Sequence, residues 1–275
     1  MPELPPAHSF AGYDGTALVY RELGAGRPLI LIHGYFSTAA VNWIRYGHAA
    51  ALAAAGHRVI MPDLRGHGDS AKPHDAAAWP PDVLSDDGFA LLAHLGLDPA
   101  GAGYDLGGYS LGARTTMRMM VRGARPGRAV VAGMGLAGIV SANEHSDHFR
   151  RVLTNLGNHP PRSPEWMAQA FLKTVGGDPT ALLGVLDTFV DTTPAELAAI
   201  EVPTLVLLGS DDDDNGSGEA LARALPHGQY VSVPGNHMNA VTKPDLGAAI
   251  AEFLSATSVD GARPAVDRRP GDAGL

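Results

Sequence analysis

Leu106-Gly107-Gly108-Tyr109-Ser110-Leu111-Gly112 is the stretch of sequence that decides the fold. It contains the pattern G-x-S-x-G, with the apolar run 104–107 before it and the amphipathic run 113–121 after it. This pattern predicts a strand, a sharp turn at Ser110 and a helix, and the glycines are needed because side chains there would clash with the neighbouring strand and helix. The turn lifts the serine hydroxyl clear of the sheet, and the first N–H groups of the helix point toward an oxyanion formed there. The stretch therefore predicts a nucleophilic serine.

Four further apolar runs predict strands, and each ends in residues that carry chemistry. They are 29–32 before His33-Gly34-Tyr35-Phe36, 59–62 before 63–70, 203–209 before 211–214, and 230–233 before Pro234-Gly235-Asn236-His237. A serine nucleophile, then a carboxylate after a strand, then a histidine after the next strand is the Ser…Asp…His order of one class of hydrolase.

These pieces together resemble the α/β-hydrolase family, and the resemblance covers nearly everything from Ser9 to Leu254. The motifs that carry it are the H-G turn, the D-x-R-G-x-G-x-S loop, the G-x-S-x-G elbow, the G-x-x-D after a strand and the final P-G-x-H. The resemblance implies an α/β fold with a mostly parallel eight-stranded sheet, helices on both faces and an inserted helical cap. It also implies that Asp63, Arg65 and His67 form a structural turn, and that His33 holds the loop that follows it.

Four motif positions correspond to groups that act on the substrate in this family. Ser110 resembles the nucleophile and His237 the general base. The main-chain N–H groups of Tyr35 and Leu111 resemble the donors of the oxyanion hole.

The carboxylate that orients the base falls in a run of four aspartates. Asp212 matches the family position, since it is the third residue after Gly209. Asp211 and Asp213 stay open as alternatives, because the register within the run is not fixed by its spacing alone.

The short apolar runs alternate with helical patterns, which predicts a parallel sheet with helices on both faces. Strands are predicted near 7–12, 17–23, 28–33, 58–62, 103–108, 128–134, 203–209 and 228–233. Helices are predicted near 41–55, 81–95, 111–123, 145–157, 164–175, 179–190, 194–199, 217–224 and 243–255.

The strand signal disappears between Leu136 and Val202, where the family inserts its cap. We therefore assign 1–136 and 202–255 to the core, 137–201 to the cap, and 256–275, which is rich in Gly, Pro, Arg and Asp, to a disordered tail. The residues predicted to line the substrate pocket are Phe36, Tyr109, Trp166, Phe171 and Met238.

The composition is that of a globular protein of 275 residues, with 45% hydrophobic and 18% charged residues. A net charge of −9 argues against nucleic acid or an anionic membrane surface as a partner. The absence of cysteine excludes disulfides, a cysteine nucleophile and thiolate metal sites. The sequence shows neither a signal peptide nor an apolar run of transmembrane length, so we expect a cytoplasmic protein, and its many arginines and alanines are typical of GC-rich bacterial genes. The composition does not predict an oligomeric state.

Three patterns that suggest a metal or cofactor lack the partners such a site needs. The G-x-G-x-x-G at 133–138 does not open a first βα unit. The calcium-like loop that starts at Asp211 has Ala222 where the bidentate carboxylate belongs, and the histidines of 144–148 have no further ligands nearby in the sequence. We therefore expect neither a metal nor a cofactor.

The predicted function is hydrolysis of a small, fairly apolar ester or lactone through an acyl-enzyme on Ser110, which is carboxylic-ester hydrolase chemistry (EC 3.1.1). Ser110 excludes the family branches with an aspartate nucleophile, namely haloalkane dehalogenases and epoxide hydrolases. A C–C bond hydrolase, an acyltransferase and a cofactor-free perhydrolase share the triad and stay open. A ligand-binding receptor with negligible turnover is the alternative from another class of function.

Overall fold

A computed structural model describes residues 3–142 and 146–256 of the chain. The predicted disordered tail lies outside the described residues except for Ala256, and the predicted helix near 145–157 is described from Ser146 onward.

Eight strands form one sheet in the order β1-β2-β4-β3-β5-β6-β7-β8. The strands are β1 Ala7–Ala11, β2 Ala17–Leu23, β3 Arg27–Ile32, β4 His57–Asp63, β5 Asp105–Tyr109, β6 Ala129–Ala132, β7 Thr204–Gly209 and β8 Gly228–Val233. β1 and β2 run antiparallel to their neighbours, and the remaining strands pair in parallel. The eight-stranded, mostly parallel sheet predicted from the sequence is confirmed.

Ten α-helices accompany the sheet in the described ranges. They are α1 His48–Ala54, α2 Val83–His94, α3 Leu111–Val121, α4 Leu136–Val140, α5 Ser146–Thr154, α6 Pro164–Thr174, α7 Pro179–Asp187, α8 Pro194–Ala198, α9 Gly218–Ala224 and α10 Pro244–Ser255. None of the helices in these ranges has both the length and the apolar character needed to cross a membrane. The single helix predicted over 41–55 is instead a π-helical turn, Ala40–Ile44, followed by α1, because the chain turns at Gly47 with φ 83°.

The two faces of the sheet are covered by different helices, as the alternation of side chains along a strand requires. Leu29 and Leu31 of β3 pack in one apolar cluster with residues of α1 and α10. Ile30 and Ile32 point the other way, into a cluster that includes residues of α2 and α3. Burial on both faces explains why the parallel strands read as continuous apolar runs.

The helices α4 to α8 occupy the stretch between β6 and β7. Apolar side chains of α5, α6 and α7 belong to the same cluster as Tyr35 and Phe36 of the core. The Tyr35 hydroxyl donates a 2.5 Å hydrogen bond to the carbonyl oxygen of Leu182 in α7. These contacts fix the inserted helices against the loop that follows β3, while the division into a core and a cap remains a prediction.

The turn between β5 and α3 has no room for a side chain at positions 108 and 112, two residues before and after Ser110. Ser110 has φ 54° and ψ −111°, a conformation that L residues rarely adopt. A Cβ on Gly112 would lie 2.1 Å from the carbonyl oxygen of Ile32, and one on Gly108 would lie 2.3 Å from the carbonyl carbon of Gly112. Both close contacts are with main-chain atoms, so the glycines are what permit α3 to begin directly against β3 and β5.

We expect Gly112→Ala to lower the free energy of unfolding by about 3 kcal/mol or more, because the added methyl group meets main chain that cannot move aside. Gly103→Ala is the matched control, since a Cβ at Gly103 has nothing within 4 Å. Urea denaturation checks both variants, and the control should stay within about 0.5 kcal/mol of the parent. Equal stability of the two variants would contradict the close approach at Gly112.

Candidate active site

Three loops at the same edge of the sheet bring Ser110, Asp212 and His237 together. Ser110 follows β5, Asp212 follows β7 and His237 follows β8. The Ser110 Oγ lies 3.0 Å from the His237 Nε2, and the His237 Nδ1 lies 3.0 Å from the Asp212 Oδ2. A neutral His237 with its proton on Nδ1 donates to Asp212 and accepts from the Ser110 hydroxyl. This arrangement can take a proton from Ser110 as the hydroxyl attacks an electrophile.

The loop 210–217, which follows β7 and is called the acid loop below, places Asp212 in a different environment from its other three aspartates. Asp212 is buried, and its side chain is fully shielded from solvent, whereas Asp211, Asp213 and Asp214 are exposed. The loop is held by the Asp212 N–H, which donates to the carbonyl oxygen of Gly209 at 3.1 Å.

Asn215 also contacts the site and was missed by the sequence analysis. Its buried side-chain Nδ2 lies 3.4 Å from the His237 Nδ1 and 3.4 Å from the carbonyl oxygen of Gly133. No motif in the sequence marks this asparagine, because its role depends on a loop that returns toward the site.

The loop after β3 lies directly beside the serine. A Cβ on Gly34 would lie 3.4 Å from the Ser110 Cβ, and the Gly34 N–H donates to the Asn42 Oδ1 at 2.7 Å. Within the described part of the chain, the N–H groups of Tyr35 and Leu111 have no hydrogen-bond acceptor. Both can therefore donate to a negatively charged oxygen formed at Ser110.

Two buried histidines, His33 and His67, lie within hydrogen-bond distance of main-chain atoms of this loop. The His33 Nε2 accepts from the N–H of Leu64 at 3.0 Å, so its Nδ1 carries the proton and donates to the carbonyl oxygen of Gly34 at 2.7 Å. The His67 Nε2 lies 3.1 Å from the carbonyl oxygen of Tyr35. Burial lowers the pKa of His33 to about 4, and burial together with the nearby His33 lowers the pKa of His67 to about 3.

The loop 63–70 is braced by internal hydrogen bonds. The Asp63 carboxylate accepts from the N–H groups of Ala39 at 2.8 Å and Asp69 at 3.0 Å. The fully buried Arg65 donates to both Asp14 and Asp87. These contacts support the structural role expected for this turn.

The five predicted pocket residues lie in different environments. Phe36 is buried and stacks on Tyr35 with ring centroids 4.7 Å apart, and Phe171 is partly buried against the same cluster. Trp166 and Met238 are 40% and 58% exposed. That all five contact substrate remains a prediction.

Tyr109 is buried and is tied to the histidine loop. Its hydroxyl donates to the carbonyl oxygen of His237 at 2.7 Å. Burial raises the pKa of this hydroxyl, which therefore stays protonated and able to donate.

Asp212, Asp214 and His237 place possible metal-ligand atoms within 4.8 Å of one another. The His237 Nδ1 in this group is already hydrogen bonded to Asp212. A metal ion on that nitrogen would displace the hydrogen bond that orients the imidazole.

A protein-family model described as the alpha/beta hydrolase family matches residues 29–250. The chain is 29% identical to a non-heme haloperoxidase from Rhodococcus erythropolis over 72% of its own length and 80% of that protein. It is 35% identical to a soluble epoxide hydrolase from Corynebacterium sp. (strain C12), over 37% of its own length and only 34% of that protein. A solved structure of the esterase RhEst1 from Rhodococcus sp. ECU1013 is similar with a TM-score of 0.66 and 26% identity, covering 91% of this chain and 98% of the esterase.

Asparagine substitution along the acid loop tests which carboxylate orients His237. Asp212→Asn should lower kcat by about 10⁴-fold, because the amide leaves the imidazole in the wrong tautomer. Asp213→Asn is the matched control, since this exposed neighbour should change kcat less than about threefold. Steady-state ester hydrolysis measures both, and a severe loss at Asp213 with a mild loss at Asp212 would overturn the assignment.

The buried histidines predict acid lability. His33 and His67 stay neutral in the folded protein, whereas unfolded histidine binds a proton below about pH 6.5. The free energy of unfolding should therefore fall on acidification from about pH 6.5, by as much as about 1.4 kcal/mol per pH unit for each histidine. This loss should continue until the pH reaches about 4 for His33 and about 3 for His67.

Urea denaturation between neutral pH and the onset of acid unfolding measures this dependence. His67→Gln should show a shallower slope than the parent, even if it is less stable at neutral pH. The surface variant His227→Gln serves as the control and should keep the slope of the parent. The same slope in all three proteins would contradict the role assigned to the buried pair.

Proposed function

The chain belongs to the alpha/beta hydrolase family, and we propose that it is a serine hydrolase acting on a small, fairly apolar ester or lactone. The observation that carries this proposal is the continuous chain of hydrogen bonds from Ser110 through His237 to the buried Asp212. The strained main chain at Ser110 supports it as well, since such strain persists where the surrounding structure imposes it and is concentrated at functional sites.

The first half of the reaction transfers the acyl group to the enzyme. His237 Nε2 takes the proton from Ser110 as the Oγ attacks the substrate carbonyl. The N–H groups of Tyr35 and Leu111 donate to the oxyanion of the tetrahedral intermediate, and Asp212 stabilises the imidazolium. The imidazolium then protonates the leaving alcohol as the C–O bond breaks, and the acyl group remains on Ser110.

The second half releases the acid. A water molecule gives a proton to His237 and attacks the acyl carbonyl, with the oxyanion held by the same two N–H groups. Collapse of this second intermediate returns the proton to Ser110. Each oxyanion-hole donor of this kind contributes about 10²- to 10³-fold to kcat.

The serine nucleophile distinguishes this proposal from epoxide hydrolysis, although several relatives bear that name. The resemblance described above implies that epoxide hydrolases of this fold use an aspartate where this chain has Ser110. A C–C bond hydrolase and an acyltransferase with the same triad differ from an esterase in the bond broken or the acyl acceptor. A receptor would retain the triad without turnover.

The relative named non-heme haloperoxidase supports a second candidate activity. If hydrogen peroxide replaces water in the second half-reaction, its oxygen attacks the acyl carbonyl and the product is a peracid, with the proton returned to Ser110. The peracid can oxidise bromide in solution, so halogenation would follow without a redox cofactor. Peracid formation that depends on both hydrogen peroxide and an ester that supplies the acyl group, and that is lost in Ser110→Ala, tests this candidate.

Ser110→Ala should lower kcat for short p-nitrophenyl esters by about 10⁴-fold or more, because the triad acts as a unit. A fluorophosphonate probe should label the parent and fail to label this variant. Ser9→Ala, an exposed serine on β1, is the matched control and should keep both labelling and turnover. Turnover above a tenth of the parent rate in Ser110→Ala would refute the nucleophile, and labelling of the parent without turnover would favour a receptor.

A further inference from the structure

Tyr109, the last residue of β5, reaches from the turn at Ser110 to the loop 234–239, which carries His237. Tyr109 is 4% exposed, and its hydroxyl donates a 2.7 Å hydrogen bond to the carbonyl oxygen of His237. The next residue in the chain is Ser110, whose Oγ lies 3.0 Å from the His237 Nε2. Two consecutive residues therefore contact the same histidine, one at its main chain and the other at its ring.

The ring of Tyr109 is held in place by apolar packing. It belongs to the cluster that also contains Val233 and Ala240, the residues on either side of the loop. Its centroid lies 5.6 Å from that of the His237 ring, at an interplanar angle of 40°. Because close packing restricts the torsions of a buried aromatic side chain, the hydroxyl at the end of this ring occupies a fixed position.

The room for this ring depends on Gly133, the first glycine of the G-x-G-x-x-G pattern at 133–138. A Cβ at Gly133 would lie 2.7 Å from the ring carbon of Tyr109 that bears the hydroxyl, and Gly133 has φ 63°. A side chain at that distance would displace the ring, and the positive φ itself favours glycine. Packing against Tyr109 therefore accounts for this glycine of the pattern without a cofactor.

The loop 234–239 has internal hydrogen bonds that shape it without fixing it to the sheet. The Asn236 N–H donates to the Asn239 Oδ1 at 2.9 Å, and the Asn239 N–H donates to the Asn236 Oδ1 at 3.1 Å. The start of the loop is hydrogen bonded to the acid loop at 2.9 Å. The Tyr109 hydroxyl adds a contact with β5, and this contact falls on His237 itself.

The proton of the Tyr109 hydroxyl is already used in this contact. Burial, together with the nearby carboxylates of Asp212 and Asp214, raises the pKa of Tyr109, so the hydroxyl stays protonated. A tyrosine hydroxyl has a single proton to donate, and here it is donated to the main chain of His237. The hydroxyl therefore has no second proton with which to hold a substrate oxygen.

We propose that Tyr109 is a positioning residue for His237: its hydroxyl, through the carbonyl oxygen of His237, holds the imidazole within hydrogen-bond distance of the Ser110 Oγ. The inference rests on the proposed function, since it concerns the same proton transfer. It assigns to Tyr109 a role other than the substrate contact predicted from the sequence. A displacement of about 1 Å between reacting groups can lower a rate about 10²-fold, so loss of this hydrogen bond affects the chemistry without a contact to substrate.

Tyr109→Phe removes the hydroxyl and keeps the ring. The kcat for short p-nitrophenyl esters should fall about 10- to 100-fold while KM changes less than about twofold, because the hydroxyl acts on the proton transfer and not on substrate binding. Tyr104→Phe is the matched control, because Tyr104 is buried directly before β5 and its hydroxyl donates to the carbonyl oxygen of Pro99 at 3.0 Å. Both variants should lose similar stability against urea, and only Tyr109→Phe should lose activity. Equal kcat in the two variants, or a change in KM alone, overturns the proposal.

A double-mutant cycle tests whether the hydroxyl acts through the imidazole of His237. Tyr109→Phe added to His237→Ala should change the residual single-turnover rate less than about twofold, because the imidazole that Tyr109 positions is no longer present. A substrate contact, or a general weakening of the turn at Ser110, would lower the rate by the same factor in both backgrounds. That result overturns the proposal.

Labelling of Ser110 by a fluorophosphonate probe separates this proposal from the proposed function, because it needs the proton transfer to His237 but no ester. The rate constant of labelling should fall in Tyr109→Phe by a factor similar to that found for kcat. If esters are not cleaved but labelling is rapid in the parent and slow in Tyr109→Phe, the proposed function fails and the positioning role stands. If esters are cleaved and both proteins are labelled at the same rate, the positioning role fails and the proposed function stands.

Discussion

The main chain around Ser110 makes a turn in which positions 108 and 112 have no room for a side chain. Gly108 and Gly112 bring β5, α3 and the end of β3 so close that an added methyl group would overlap main-chain atoms. Because the chain must turn there, Ser110 is held at φ 54°, at a strain of about 1–3 kcal/mol. Packing of the surrounding sheet and helix offsets this strain. The main chain at Ser110 is therefore held in one conformation, which fixes the direction in which the side chain leaves the turn.

The other parts of the site depend on the same turn. The Ser110 N–H donates to the carbonyl oxygen of Ala132 at 2.8 Å, which ties Ser110 to β6. The residue before it, Tyr109, donates from its hydroxyl to the carbonyl oxygen of His237 and so fixes the loop that carries His237. The loop after β3, held by the buried His33, places its N–H groups beside the serine. A parallel sheet brings these loops together because its strands end at one edge.

Much of this fold could be predicted from the sequence, because the motifs that specify it are formed by residues close together in the chain. A buried apolar strand, a glycine-containing turn and a helix follow one another at the elbow, and the same logic locates the loops of Asp212 and His237. The family match and the eight-stranded sheet confirm the predicted family and fold. The prediction of a single helix over 41–55 was wrong, since the hydrophobic pattern does not reveal the left-handed conformation of Gly47.

What the sequence could not decide depends on contacts between distant segments. Four consecutive aspartates offer the same chemistry, and only the return of β8 determines which carboxylate meets the imidazole. Asn215 belongs to no motif, because its contact with His237 is created by the way its loop returns toward the site. The predicted pocket residues are a similar case, since the exposure of Trp166 and Met238 is set by how helices and loops pack rather than by hydropathy.

We propose above all that Ser110 carries the acyl group covalently. Mass spectrometry of the protein, quenched in acid during turnover of p-nitrophenyl acetate and then digested, tests it most directly. We expect one acetyl group, on the peptide that contains Ser110, formed at the rate of the initial burst of p-nitrophenol. Turnover without any acylated peptide, or acylation at another residue at the burst rate, would contradict it.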